Sequence, residues 1–302
     1  MSAVATPSPL LTRLRPYAQL VRLPNVFTAL ADIALGAVAT HALPGRWLPF
    51  LGLLLSTKCL YCAGMVWNDF FDIDQDRRER PFRPIPSGRV PRRTAGQLGA
   101  ALLAAGIVFS LTAGWLAFGL AVLIAAAVLL YDAWLKRTWA GPLGMGSCRF
   151  LNVLLGLTVL DGALPGFAGH LAAVVGTYIV GVTWFARTEA RESQRAMLAG
   201  AAVVMLAGLL LAVPLPTWVL PGHSSALFPY LLVAFGFGVG IPVYHAIEKP
   251  VPSQVQAAVK RAILGLIVLD AILATALAGL VGLVILVLLP PALYLGKWLY
   301  ST

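Results

Sequence analysis

Apolar and polar positions alternate along this chain on the scale of whole helices rather than single turns. Stretches of about 17 to 25 mostly apolar residues, each able to cross a hydrocarbon layer roughly 30 Å thick as a helix, recur along the whole length with short polar loops between them. The pattern predicts spans at residues 21–41, 47–67, 95–112, 115–131, 150–163, 170–186, 196–213, 226–245 and from 262 onward. The expected fold class is therefore an all-α membrane protein with about nine transmembrane helices. The last apolar stretch reads as one tilted helix or as two short ones broken near residues 279–282.

Composition agrees with a lipid solvent. At 59% apolar and 11% charged residues, with a mean hydropathy of +0.85, the chain carries more apolar surface than a soluble core could hide. One membrane domain over residues 1–302 is expected, with 1–20 a short N-terminal segment. A net charge of +10 raises the question of nucleic acid, but Lys and Arg are scattered among loops instead of forming one basic face, so no nucleic acid is expected and the bilayer is the partner. Arg13, Arg15 and Arg22 precede the first span; Arg clusters follow the second; Lys136, Arg137 and Arg149 follow the fourth; Arg187, Arg191 and Arg195 the sixth; Lys249, Lys260 and Arg261 the eighth. Those ends, the N-terminus included, are expected in the cytoplasm. The first apolar run lacks a small-residue cleavage site and is read as retained. Cys59, Cys62 and Cys148 lack the second pair that a zinc site needs and read as small core residues.

The chemistry concentrates in residues 68–91, NDFFDIDQDRRERPFRPIPSGRVP. If the second helix runs on through this start, Asn68, Asp72 and Asp76 are four apart and share a face, Asp69 is three before Asp72, and Asp74 points elsewhere. Carboxylates there repel one another, and a charge in a span costs about 2.5 to 3.5 kcal/mol at its centre, less near its end. A divalent cation removes that penalty, and an all-oxygen ligand set favours magnesium or calcium over zinc. Arg77, Arg78, Arg80 and Arg83 follow directly, and their planar forks suit diphosphate oxygens. The plainer alternative is a solvated loop in which acids and arginines pair with each other.

The run from Asn68 to Asp76, followed by Arg80-Pro81-Phe82-Arg83-Pro84-Ile85-Pro86-Ser87-Gly88, resembles the signature of UbiA-type membrane prenyltransferases. So do Arg22-Leu23-Pro24-Asn25 and Tyr131-Asp132-Ala133-Trp134-Leu135-Lys136. The resemblance implies a barrel-like helical bundle that transfers a polyprenyl group from its diphosphate to an aromatic or other lipophilic acceptor, with Mg2+. Residue by residue, it places Asn68, Asp69, Asp72 and Asp76 at the metal. It makes Arg77, Arg80 and Arg83 the diphosphate ligands, and Arg149, Asn152 and Glu189 join that set. Asp72, Asp76, Tyr131 and Lys136 are the expected catalytic groups, Lys136 stabilising the leaving diphosphate and the Tyr131 ring the allylic cation.

The pattern departs from the family in two places. Its second aspartate-rich loop is here Trp184-Phe185-Ala186-Arg187-Thr188-Glu189-Ala190-Arg191-Glu192, where arginines make a better anion binder than a metal site. Tyr131 and Lys136 are five apart, so contact on one face requires a local distortion of the helix. The stretch 141–152, GPLGMGSCRFLN, is similar to a subgroup named EboC. Asp32, Asp161 and Asp270 fall in or near spans and are expected to cap or hydrogen-bond within the bundle. The histidines form no cluster. Two further readings stay open: a catalytically degenerate protein that binds or moves a lipophilic precursor, and an ion-coupled transporter, for which paired broken helices are missing.

Overall fold

The computed structural model describes residues 9–160, 162–189 and 192–300, with side chains given from 14 to 297 within those ranges. Arg13's side chain, Pro7, Asp161 and Arg191 therefore lie outside the described residues. Every regular element among those described is helical.

The first helix, α1 (Pro9–Leu20), turns at Arg22 into α2 (Val26–Ala39), the axes bending by 51°. Arg22 takes a left-handed backbone, φ 48°, rare for a side chain with a Cβ, and Pro24 opens the 3-10 turn that follows. The α-helix of the first apolar stretch thus starts at Val26 rather than residue 21, and part of the expected N-terminal loop is helix. Helix α3 (Trp47–Phe71) is followed by α4 (Ile73–Glu79) with only Asp72 between them, and hydrogen bonds from Asp72 N to Asn68 O and from Asp76 N to Asp72 O carry the helical pattern across the junction. Then come α5 (Arg92–Ser110), α6 (Trp115–Ala133), α7 (Gly141–Leu157), α8 (Ala168–Ala186), α9 (Arg195–Ala212), α10 (Phe228–Glu248), α11 (Pro252–Ala278) and α12 (Leu289–Tyr300).

Among the described residues, seven helices are long and apolar enough to cross a membrane, eight if the bent α1–α2 pair is one span; α7, with 17 residues, falls short of that measure. Together they make a multi-pass membrane protein. Exposed apolar stripes mark the lipid face, as on α10, where Tyr230, Val233, Phe237, Ile241 and Tyr244 recur at helical spacing.

Two helix starts differ from the hydropathy pattern. Helix α7 begins at Gly141, nine residues before the expected span: Pro142 sits in its first turn, and the charge of Arg149 inside the helix is met by Asp32. Helix α11 begins at Pro252, ten residues early, because its polar first turns, with Gln254, Gln256 and Lys260 exposed, lie outside the apolar run. The last apolar stretch breaks at Gly279, whose φ of 69° is left-handed, and a 3-10 segment, Gly279–Leu288, leads to α12.

Helices α2, α7, α8 and α11 form the centre of the bundle. At the α2–α7 crossing, a Cβ on Gly36 would overlap the Gly156 backbone, and one on Gly156 would lie 2.7 Å from Asp32 O. This small-residue contact brings the polar side chains of the two helices together.

Candidate active site

The helices enclose a cavity of about 810 Å³ with a charged mouth and an apolar interior. The mouth is built where α3 passes into α4. Because the two are nearly continuous, the four-residue spacing keeps Asn68, Asp72 and Asp76 on one side, and all three line the cavity. Asp69, one residue further round α3, does not line it. Its carboxylate is buried and takes Arg83 at 3.1 Å and Arg22 at 3.4 Å. Arg83 also donates to Asp76 Oδ2 at 2.7 Å, so one guanidinium ties the returning loop to both helices.

Across the mouth, α6 ends at Ala133 and Trp134 (φ −142°, ψ −52°) breaks the helical geometry before a 3-10 turn, Leu135–Arg137. That distortion carries Lys136 back into the cavity alongside Tyr131 despite the five-residue spacing. Lys136 Nζ lies 2.7 Å from Asp72 Oδ2 and 3.8 Å from Asp132 Oδ1. Arg137 reaches Asp72 Oδ1 at 3.4 Å.

Arg80 and Glu189 complete the rim. Burial pushes the Glu189 carboxyl above the ordinary glutamate range, with Arg80 and Arg22 pulling it the other way. Of the second loop's other groups, Arg187 lines the cavity, but its guanidinium holds the Thr138 and Trp139 carbonyls at 2.7 and 3.3 Å. Arg195 holds the Glu248 carbonyl at 2.9 Å, and Glu192 is exposed outside the cavity. These arginines tether helix ends to one another.

Arg77 is not brought to the site: its side chain is 62% exposed and pairs with exposed Asp74. Arg149 and Asn152 line the cavity, but deep inside it. Arg149 lies eight residues along α7 from Gly141 at the mouth, about 12 Å at the helical rise. Cys148 also lines the cavity instead of packing in a closed core. Some rim residues, Arg22, Asp132 and Arg137 among them, had drawn no site expectation. Arg22 read as a topology charge and as the start of the family-like Arg22-Leu23-Pro24-Asn25, and its αL turn aims it at Asn68 and Asp69. Asp132, 3% exposed, accepts from Asn68 Nδ2 at 3.1 Å; an acid directly after Tyr131 was its available signal.

At the rim six Lys or Arg side chains (Arg22, Arg80, Arg83, Lys136, Arg137 and Arg187) face four carboxylates (Asp72, Asp76, Asp132 and Glu189), a balance that suits a polyanion. No group of three or more His, Cys, Asp or Glu among the described residues forms a ready metal cage. The oxygen donors fit a hard cation held by one or two carboxylates and completed by substrate phosphates.

A multi-pass helical membrane protein with a carboxylate-and-arginine mouth over an apolar cavity is what fold and site define. The model of the UbiA prenyltransferase family matches residues 26–264, and the chain belongs to that family. A digeranylgeranylglyceryl phosphate synthase from Ignicoccus hospitalis is 34% identical over 183 residues, covering 60% of this chain. This chain spans only 57% of that relative's length. Among solved structures, one of a digeranylgeranylglyceryl phosphate synthase superposes with a TM-score of 0.67 at 22% identity, over 88% of this chain and 99% of the other. A UbiA homologue from Archaeoglobus fulgidus, bound to GPP and Mg2+, gives 0.62 at 14% identity, over 82% and 98%. Both likenesses are of fold.

Proposed function

We propose that this protein is an intramembrane prenyltransferase that uses Mg2+ to move a polyprenyl group from its diphosphate to an aromatic or other lipophilic acceptor, with its mouth on the cytoplasmic side. The observation that carries this reading is the rim itself, where Asn68, Asp72 and Asp76 face Lys136, Arg80 and Arg83 above an apolar cavity. Asn68, Asp72 and Asp76 are the groups that would hold the metal. When bound, Mg2+ supplies charge neutralisation to the departing diphosphate.

The chain's own residues do the rest. Lys136, Arg80, Arg83 and Arg22 bind diphosphate oxygens and stabilise the charge gathered there as the allylic C–O bond ionises. With a diphosphate bound, Lys136 and Arg83 would exchange their present partners, Asp72 and Asp76, for phosphate oxygens, and those carboxylates would be free to hold the cation. The Tyr131 ring faces the allylic cation, and the apolar walls at Leu60, Met65, Ile124, Val128 and Leu266 hold the chain and exclude water. The relatives' name and the GPP and Mg2+ of the A. fulgidus homologue support this reading.

The second reading is a degenerate member that binds or moves a lipophilic precursor. It is favoured by the second loop, which contributes Glu189 as its one acid in the cavity among the described residues. Purified protein supplied with a prenyl diphosphate, Mg2+ and a panel of lipophilic acceptors decides between them. Transfer is expected with Mg2+ and absent with chelator, whereas binding without any turnover supports the degenerate reading.

A further inference from the structure

Arg149 lies in the cavity away from the diphosphate rim and is not used by the chemistry there. It stands two helical turns below the mouth, in a region also walled by Asn152, Thr57 and apolar and aromatic side chains, with the Tyr61 ring centre 5.9 Å from its guanidinium carbon. Its Nη1 donates to Asp32 Oδ2 at 2.9 Å and its Nη2 to Thr28 Oγ1. A guanidinium has five N–H groups, so three have no protein acceptor among the described residues. Asn152 beside it is used up. Its amide donates to Ala29 O at 3.0 Å and to Asp32 Oδ2 at 2.7 Å, and its carbonyl accepts the Thr57 hydroxyl at 2.6 Å. Asn152 and Asp32 thus hold Arg149 in place, and Arg149 alone of the three has donors to offer.

The charges around it say what it takes. Asp32 answers Arg149 directly, and Asp270, fully buried on α11, interacts with both. Asp270 stands beside Asp32, close enough for the two carboxyls to share a hydrogen bond. With Asp32 already paired to the guanidinium, the cavity floor is not a positive site. A phosphate there would meet the Asp32 carboxylate in a low-dielectric interior, whereas a neutral oxygen needs only donors. A hydrocarbon tail would leave those donors unpaired.

We propose that Arg149 is the polar anchor of the acceptor site, donating to a neutral hydroxyl or carbonyl oxygen of a lipophilic acceptor whose apolar body fills the cavity. This rests on the prenyl-transfer reading. The detergent-purified full chain, loaded with Mg2+ and an unreactive prenyl thiodiphosphate, is titrated with a long-chain alkylphenol, the same alkylbenzene without the hydroxyl, and the corresponding phenyl phosphate. The phenol is expected to bind about tenfold tighter than either, the scale of one hydrogen bond to a charged group. In Arg149→Lys, which keeps the charge and loses the fork, that preference disappears while thiodiphosphate binding is unchanged. The pair Arg149→Met with Asp32→Asn, which strands no charge, gives the same result if the lysine variant does not fold. Equal binding of the three probes, preference for the phosphate, or a phenol preference that survives both variants overturns the proposal and leaves Arg149 a structural ion pair. Failure of the thiodiphosphate itself to bind overturns the prenyl-transfer reading instead.

Discussion

Lys136 and Asp72, 64 residues apart, form an ion pair of 2.7 Å between the turn after α6 and the α3–α4 junction, with both side chains about seven-eighths buried. Lys136 Nζ is one movement away from a diphosphate oxygen placed on the Asp72 side. Replacing Lys136 by Gln removes a donor aimed at charge that grows in the transition state, so kcat is expected to fall about 10²-fold or more. KM for prenyl diphosphate should change far less. Steady-state kinetics with saturating acceptor check the split.

Arg77 and Arg83 come from the same basic run, and their environments predict opposite outcomes. Arg77 pairs at the surface with an 83% exposed Asp74, so Arg77→Ala should leave prenyl diphosphate affinity within about twofold and shift stability by about 0 to 1 kcal/mol. Arg83 bridges two buried aspartates, and Arg83→Ala strands Asp76 and leaves Asp69 with Arg22 alone, at a cost of about 3 to 5 kcal/mol. Thermal unfolding in detergent, run side by side with ligand titration, distinguishes the two.

The α2–α7 crossing makes a steric prediction. A side chain at Gly156 would press on the Asp32 carbonyl, separate Asp32 from Arg149 and leave buried charges apart. Gly156→Val is expected to lower stability by at least the roughly 1 to 3 kcal/mol typical of overpacking. At Gly119, nothing lies within 4 Å of an added Cβ, and Gly119→Ala should cost nothing. The yield of monodisperse folded protein and its melting temperature report both.

The acidic face of the site was legible because it needs only one helix. Asn68, Asp72 and Asp76 follow the 3.6-residue period, and the structure keeps that period through the hydrogen bonds from Asp72 N to Asn68 O and from Asp76 N to Asp72 O at the α3–α4 junction. Asp69 fell to the other side because one residue is a 100° turn, and its partners Arg22 and Arg83 arrive from segments whose approach no local pattern reveals. Arg77 shares the composition of the run but not its inward face. The five-residue step from Tyr131 to Lys136 signalled a distortion, and the break at Trp134 supplies it. Hydropathy missed the starts of α7 and α11 because glycine, cysteine and arginine in one, and glutamine and lysine in the other, look like loop until packing neutralises or exposes them. The Arg149–Asp32–Asn152 network depends on the Gly36–Gly156 contact, a tertiary fact.

The central claim is that Asp72 and its neighbours bind a prenyl diphosphate through Mg2+. Isothermal titration of geranyl diphosphate into the detergent-purified protein, with and without Mg2+, for wild type and Asp72→Asn, tests it most directly. The account predicts binding that requires Mg2+ and is lost in the variant by at least about tenfold. Binding that is indifferent to both Mg2+ and Asp72, or no binding at all, would contradict it.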